Sequence, residues 1–355
     1  MEQISLTDFN QEFNKTVIRT NTFTTATFEL TKKCNLNCIH CYQTEKEKRE
    51  LDFDEICKIL KQLKDYNCLY LVFTGGEPFI REDFMSIYLY AKKIGFVVSI
   101  MSNGTLITDK ILNIFKNYPP YSIEISLYSY KRKVHEKITR KRNSFNKSLN
   151  NIIKLSELNI DVMPKAVVMK DNFMDILLLK HYVEKKLKLR FNYDAVIVPK
   201  INRDKSPLKV RLSPEEIIKL EKQDIKKMEK INKIRKSLKS NPIDRKKLYN
   251  CGAGRLDLYI DAYGILHICN FITDEGFDLR RGSLQMGIND YIMSERMAKR
   301  SFNSPCLECD DYAICLNCAA RAYLMTGKKD GISEYLCELT KLRGKKLATY
   351  EKEGR

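Results

Sequence analysis

The sequence has no tryptophan and only four histidines and nine prolines among its 355 residues. No apolar run approaches the ~18 residues that a membrane-spanning helix needs, and residues 1–30 hold no unbroken apolar core of a secretory signal. These absences exclude a helical membrane span and disfavour export, so the expected location is the cytoplasm. Internal repeats and low-complexity tracts are also missing. What is present is ordinary for a globular chain: 43 % of residues are apolar and 30 % charged, enough to bury a core. The length allows about two or three domains. Two features depart from the ordinary. Lys and Arg outnumber Asp and Glu by 63 to 45, a formal charge of +18, and there are twelve cysteines. The charge favours acidic partners. In a cytosolic chain, cysteines in this number serve as metal ligands more often than as disulfides.

The charge is concentrated. Lys200–Asn250 contains 17 basic and 7 acidic residues and so carries +10 of the total. Ser213-Pro214-Glu215-Glu216 reads as a helix start with proline at the first position and glutamate at the third. Apolar residues then recur at roughly helical spacing from Ile217 to Leu238. A solvated connecting helix accounts for this segment, and docking of an acidic electron carrier or acidic peptide is the sharper reading. Nucleic acid is disfavoured because no aromatic residues interleave with the charges to form a stacking platform.

Upstream, strand and helix patterns alternate. Strands are expected at Thr24–Leu30, Leu69–Thr74, Phe96–Met101, Tyr121–Leu127, Ile160–Met169 and Arg190–Val198, with helices between them. Repeated β-α units without hairpin turn signals imply a parallel sheet with helical crossovers. Six units are too few for a closed eight-stranded barrel. The expected fold is therefore α/β, a partial (β/α)6 TIM-like barrel, with chemistry at the C-terminal ends of its strands. After Asn250 the texture changes to a hairpin, turning at Asp261–Gly264, and then to short, irregular, cysteine-rich sequence. The expected organisation is an N-terminal extension at 1–23, the barrel at 24–199, a basic helical linker at 200–250 and a small cysteine-rich domain at 251–355.

Cys34, Cys38 and Cys41 follow the first strand in a C-x3-C-x2-C loop. Three thiolates this close can wrap one metal centre, either zinc or an iron–sulfur cluster. A structural zinc site wants a fourth ligand, and the nearby candidate, His40, is awkwardly adjacent to Cys41. Three cysteines thus suit a 4Fe–4S cluster with one iron open. The loop Cys34-Asn35-Leu36-Asn37-Cys38-Ile39-His40-Cys41 resembles that of the radical S-adenosylmethionine (SAM) enzymes. The resemblance covers roughly residues 24–198 and implies that SAM chelates the fourth iron through its amino and carboxylate groups. Thr74-Gly75-Gly76-Glu77-Pro78, after the second strand, matches the family's glycine-rich motif. There, backbone groups and the glutamate bind the methionine amino group. Asn103, in Ser102-Asn103-Gly104, together with Ser126 and Lys165 lies at later strand ends, positions that contact the ribose and carboxylate of SAM in similar enzymes. His40 stands where that family usually has an aromatic ring near adenine, and packing alone would account for it equally well.

Seven further cysteines lie at the C-terminus: Cys251, Cys269, Cys306, Cys309, Cys315, Cys318 and Cys337. Four of them, Cys306 to Cys318, could by themselves form a zinc knuckle. The whole set resembles the SPASM extension, which carries two auxiliary 4Fe–4S clusters in peptide- and protein-modifying radical enzymes. That likeness implies one cluster on Cys306, Cys309, Cys315 and Cys337 and another on Cys251, Cys269 and Cys318, the latter with an iron open or held by another group; Asp257 is a candidate oxygen ligand there and reads better as an ordinary strand residue. Only Leu316 and Asn317 separate Cys315 from Cys318, one residue fewer than usual. Cys57 and Cys68 read as structural.

The functional expectation is a radical SAM oxidoreductase with three 4Fe–4S clusters. It would modify a side chain of a ribosomally made peptide or protein by oxidation, crosslinking or thioether formation. Implied partners are that substrate and a flavodoxin or ferredoxin; about 23 residues precede the first strand, fewer than a leader-recognition domain usually takes, so recognition of a leader-bearing peptide would fall to a separate leader-recognition protein or to the auxiliary domain. The residue that does the substrate chemistry is not identified. Alternatives are a sulfatase-maturating enzyme, disfavoured because Asn270 and not Asp follows Cys269, an enzyme acting on a small molecule or tetrapyrrole, and a zinc-bound nucleic-acid-binding protein.

Overall fold

The computed structural model describes residues 23–44, 48–240 and 243–352. The expected N-terminal extension lies outside the described residues except for Phe23. Nine strands form one sheet in the order β6-β5-β4-β3-β2-β1-β7-β8-β9. They are β1 Thr25–Glu29, β2 Tyr70–Thr74, β3 Val97–Ser102, β4 Ser122–Ser126, β5 Val162–Val167, β6 Asn192–Asp194, β7 Asp257–Ile260, β8 Ile265–His267 and β9 Phe277–Asp278. β1 to β6 pair in parallel, as the crossovers demand. The surprise is on the other side of β1, where β7 joins the same parallel sheet, Thr25 facing Asp257 and Phe28 facing Ile260. β7 also makes the expected antiparallel hairpin with β8. The cysteine-rich region is therefore grafted directly onto the barrel's edge.

Alternation along the strands separates two faces. Ala26, Phe28, Leu71, Phe73, Val98, Ile100, Ile123 and Ile125 are all 0 % exposed. They form the outer face, which belongs to one core with Ile56, Leu60 and Leu63 of the Phe53–Asp65 helix and with Phe84, Ile87 and Tyr88 of the Phe84–Lys93 helix. The Phe53–Asp65 helix starts at Asp52 in a capping box with Glu55, each side chain serving the other's backbone N–H. The inner face carries Thr27, Ser99, Ser122, Glu124, Ser126 and Lys165, all only partly buried. Ser99 and Ser122 share a hydrogen bond at 2.9 Å, and Lys165 pairs with Glu124 across the strands. A polar, part-hydrated wall of this kind suits a polar ligand and not a dry core.

Three helical expectations need correction. A helix at Arg132–Thr139 precedes the one at Ser144–Glu157. Its apolar positions Val134 and Ile138 are too few to reveal a period. The basic segment holds two helices, Pro214–Gln223 and Ile225–Ser240, broken at Asp224. The Asp224 carboxylate at this break takes the Lys180 ammonium at 2.7 Å and the Tyr193 hydroxyl at 3.0 Å. The C-terminal part is also less irregular than its sequence suggests, since it ends in the helix Glu334–Lys352. The inward stripe there is Leu336, Leu339, Arg343 and Leu347, and the charged third member conceals it. Arg343 makes two hydrogen bonds to Glu221, at 2.9 and 2.6 Å, with both side chains buried. This pair pins the C-terminal helix to Pro214–Gln223, and such pairs are costly to break from one side.

Candidate functional site

The β1–β2 ladder continues past the ends of both strands. Gly76 donates to the Thr31 carbonyl at 2.8 Å and Glu77 to the Lys33 carbonyl at 2.9 Å. The glycine-rich turn thus lies against the segment that leads into Cys34. A Cβ on Gly76 would sit 2.4 Å from the Lys33 oxygen and 2.6 Å from the Lys32 oxygen. Backbone cannot yield to such a contact, so only glycine permits this approach. The far side of the cysteine loop rests on the helix that the sequence did not reveal. Asn37 and Ile39 donate to the carbonyls of Thr139 and Ile138, at 3.2 and 3.0 Å.

Within the loop the three thiols sense one another. Burial pushes Cys38 up to about 12, with the charges of Cys41 and Cys34 adding to the rise. Burial raises Cys34 as well, with smaller contributions from Glu77 and Cys41. Without a bound cation these side chains therefore stay protonated thiols, and a metal centre is what would make them thiolates. Asn103 reaches over the loop, its Nδ2 donating to Asn35 Oδ1 at 2.9 Å and lying 3.9 Å from Cys34 Sγ.

Glu77 is 0 % exposed. Its carboxylate accepts from Ser102 Oγ at 2.8 Å, the Asn103 N–H at 2.7 Å and the Phe79 N–H at 3.2 Å. All three donors are neutral, and burial lifts its pKa to about 7 against them. A buried acid held by neutral donors beside the three thiols is matched to a cationic ligand group. Ser126, the Tyr128 hydroxyl and the Cys38 thiol are close enough to act on one another's ionisation, and burial holds the Tyr128 hydroxyl well above its ordinary pKa. His40 meets the Tyr128 ring edge-on at 4.9 Å. Burial lowers its pKa to about 4, so the ring is neutral, and its Nδ1 is buried without a partner. Lys165 faces Ser126 in the β4–β5 register on the inner wall.

The structure also gathers the C-terminal cysteines, in two sets. Cys251, Cys269 and Cys318 line one cavity of about 210 Å³, together with Cys315 and Arg300. Burial raises Cys269 to about 12, and the charges of Cys318 and Cys251 push the same way. Burial raises Cys337 too, reinforced by Cys315, Cys306 and Cys309. Asp257 is not among the cavity's lining residues. It lies beside Thr25 in the sheet, and its carboxylate occupies the space over Gly252. Among the described residues no three His, Cys, Asp or Glu side chains converge on a single-ion site. Cys68 is buried, with its thiol toward the Thr24 and Tyr70 carbonyls. Cys57 is half-buried on the Phe53–Asp65 helix.

Sequence reasoning passed over several residues that knit these groups together. Glu29, fully buried at the end of β1, takes Lys32 Nζ at 2.6 Å, the Tyr259 hydroxyl of β7 at 2.6 Å and Gln43 Nε2 at 2.8 Å. Tyr42, next to Cys41, accepts from Asn270 Nδ2 at 3.2 Å, and Asn270 Oδ1 accepts from Cys269 Sγ at 3.3 Å. One side chain therefore spans from the barrel loop to the first C-terminal set. Adjacency to Cys41 was the available signal for Tyr42; the sequence singles out Asn270 for its place after Cys269, but not for this bridge.

A parallel partial barrel with a three-cysteine loop and a Gly-Gly-Glu-Pro turn at its strand ends is the architecture of the radical SAM enzymes. Residues 28–181 match the Radical SAM superfamily, so the chain contains a radical SAM domain. It is similar to the antilisterial bacteriocin subtilosin biosynthesis protein AlbA of Bacillus subtilis, with 29 % identity over 254 residues, 70 % of this chain and 55 % of AlbA. The chain thus spans about half the length of that relative. In fold it is similar to Streptococcus suis SuiB bound to precursor peptide SuiA, with a TM-score of 0.71 at 17 % identity over 95 % of this chain and 82 % of SuiB. The likeness to anSMEcpe with bound AdoMet has a TM-score of 0.69 at 14 % identity, over 92 % of this chain and 96 % of that one. Both likenesses take in the C-terminal region as well as the barrel. Among the described residues no helix is long and apolar enough to cross a membrane.

Proposed function

We propose that the chain is a radical SAM maturase. It modifies a side chain of a ribosomally made peptide or protein by oxidation, crosslinking or thioether formation, and it carries three 4Fe–4S clusters. The observation that supports this reading is that three cysteines share the loop beside Glu77 while Cys251, Cys269, Cys315 and Cys318 line one cavity and Cys306, Cys309 and Cys315 act on Cys337. The likeness to a bacteriocin biosynthesis protein and to a structure holding a precursor peptide supports a peptide substrate. Residues 251–355 then act as a SPASM-like auxiliary domain, with 200–250 as the basic linker and 24–199 as the barrel. The test is incubation of the reconstituted chain with SAM, dithionite and a short peptide encoded beside its gene. A SAM-dependent mass change in that peptide is expected, and 5′-deoxyadenosine formed while every such peptide stays unchanged would count against it.

The donor sets fit the clusters assigned to them. Cys34, Cys38 and Cys41 would hold a 4Fe–4S cluster, which would supply one electron for the reductive cleavage of SAM. The rest is the work of this chain's own groups. Glu77 receives the amino group of SAM, with Gly75 and Gly76 offering close backbone, while Asn103, Ser126 and Lys165 hold its ribose and carboxylate. His40, neutral and buried, closes the loop side. Cys306, Cys309, Cys315 and Cys337 hold one auxiliary cluster, and Cys251, Cys269 and Cys318 the other.

The pH dependence of SAM binding follows from Glu77. Its carboxylate must be ionised to receive the ammonium, and in the free chain it titrates at about 7. SAM affinity is therefore expected to be flat above that pH and to fall by roughly tenfold per unit below it. Equilibrium dialysis from pH 6 to 8 checks this. SAM titrates as well, so the Glu77→Gln chain is the control: it should bind more weakly and lose this component of the slope.

The basic linker offers a docking surface to a flavodoxin, a ferredoxin or a separate leader-recognition protein. Lys219, Lys222, Lys230 and Lys233 are exposed on its two helices. If an acidic reductase docks there, turnover with flavodoxin should fall steeply as salt shortens the screening length to ~10 Å at 0.1 M. Turnover with dithionite should change much less. Equal salt sensitivity with both donors would leave these lysines as a solvated face.

A further inference from the structure

Seven cysteines crowd the C-terminal region, and a buried cation stands among them. The Arg300 side chain is only 3 % exposed. It lines the cavity with Cys251, Cys269, Cys315 and Cys318, and its charge also interacts with Cys306 of the other set. One end of the guanidinium is held by Asp330 Oδ1 at 3.1 Å, and Nη2 lies 3.5 Å from the Tyr312 hydroxyl. The Nε–H is buried and has no partner. An unpaired buried donor is costly. The cavity that this side chain lines is also lined by thiols that become acceptors once they bear a cluster.

Resting on the reading that both sets carry clusters, we propose that Arg300 is the shared counter-ion of the two auxiliary clusters. Its Nε–H donates to a cluster sulfur, and its charge holds both reduction potentials up. The physical basis is simple. One-electron reduction of a 4Fe–4S cluster makes or breaks no bond and adds one negative charge. A cation and a hydrogen-bond donor beside the sulfurs stabilise the reduced form and so raise the potential. Burial keeps solvent from screening the effect. Asp330, which is partly exposed, opposes it by neutralising some of the charge.

The test is an EPR-monitored dithionite titration of the full-length chain in a Cys34→Ala, Cys38→Ala, Cys41→Ala background, so that only auxiliary signals remain. Iron is counted first. A background chain without auxiliary iron overturns the parent reading, and the proposal falls with it. With that iron present, Arg300→Gln should move both potentials to more negative values and Asp330→Asn to more positive values. Arg300→Lys, which keeps the charge but loses the Nε–H, should fall between Arg300→Gln and the parent. If Arg300→Gln loses iron, the Lys and Asn variants decide the matter. Auxiliary clusters retained at unchanged potentials in the Asp330→Asn and Arg300→Lys chains would overturn the proposal.

Discussion

Replacing Cys34, Cys38 and Cys41 together by alanine should abolish 5′-deoxyadenosine formation and remove about four of about twelve irons. The two results belong together because the loop has a single task. Cys34 and Cys38 are half-buried and Cys41 is exposed, and the charge of Cys41 raises the pKa of the other two. Folding should survive. The loop's backbone is held by Thr139, Ile138 and the β1–β2 ladder, and the triple replacement loses one backbone contact made by a thiol, Leu36 N–H to Cys34 Sγ. Of the three, Cys38 packs against the edge of the core behind the loop, and its replacement by alanine removes one sulfur from that contact. Iron analysis and chromatography of cleaved SAM read the two effects. An iron count unchanged by the triple replacement would mean that the loop is not a cluster site.

The second large effect separates radical generation from the chemistry on the substrate. Cys251→Ala should leave slow SAM cleavage in the absence of substrate but give little finished product. Cys251 is exposed and lines the cavity shared with Cys269 and Cys318. It is therefore a better test position than Cys269, which the Asn270 amide ties to Tyr42 beside the barrel loop. A change at Cys269 could act on both sites at once. Cluster loss also threatens folding, because ligand binding in small metal domains is part of their stability, so circular dichroism and the iron count accompany the assay. A well-folded Cys251→Ala chain that makes product at the wild-type rate would reduce this cluster to a structural role.

Much of the barrel was legible because its signals are local. Strand alternation, the Asp52 cap and the Gly-Gly pair each state their own requirement in a few adjacent residues. The helix Arg132–Thr139 was not legible, since His135 and Thr139 fill buried positions that apolar residues usually mark. The seventh parallel strand was equally hidden. Asp257–Ile260 reads as a hairpin arm, and only the tertiary pairing with β1 makes it part of the barrel sheet. The cysteines and Glu77 could be found because their spacing carries chemistry. Tyr128 and Arg300 could not, because only the fold brings Tyr128 to Cys38 and sets Arg300 in one cavity with Cys251 and Cys269. The π-helical stretch Tyr182–Lys186, where a plain helix was expected, likewise follows from packing and not from pattern.

The most direct test of the whole account is metal analysis of the anaerobically reconstituted wild-type chain, with iron, sulfide and zinc measured on one sample. Three clusters predict about twelve irons with matching sulfide in a brown protein free of zinc. Tightly bound zinc with little iron, in a colourless protein, would contradict it.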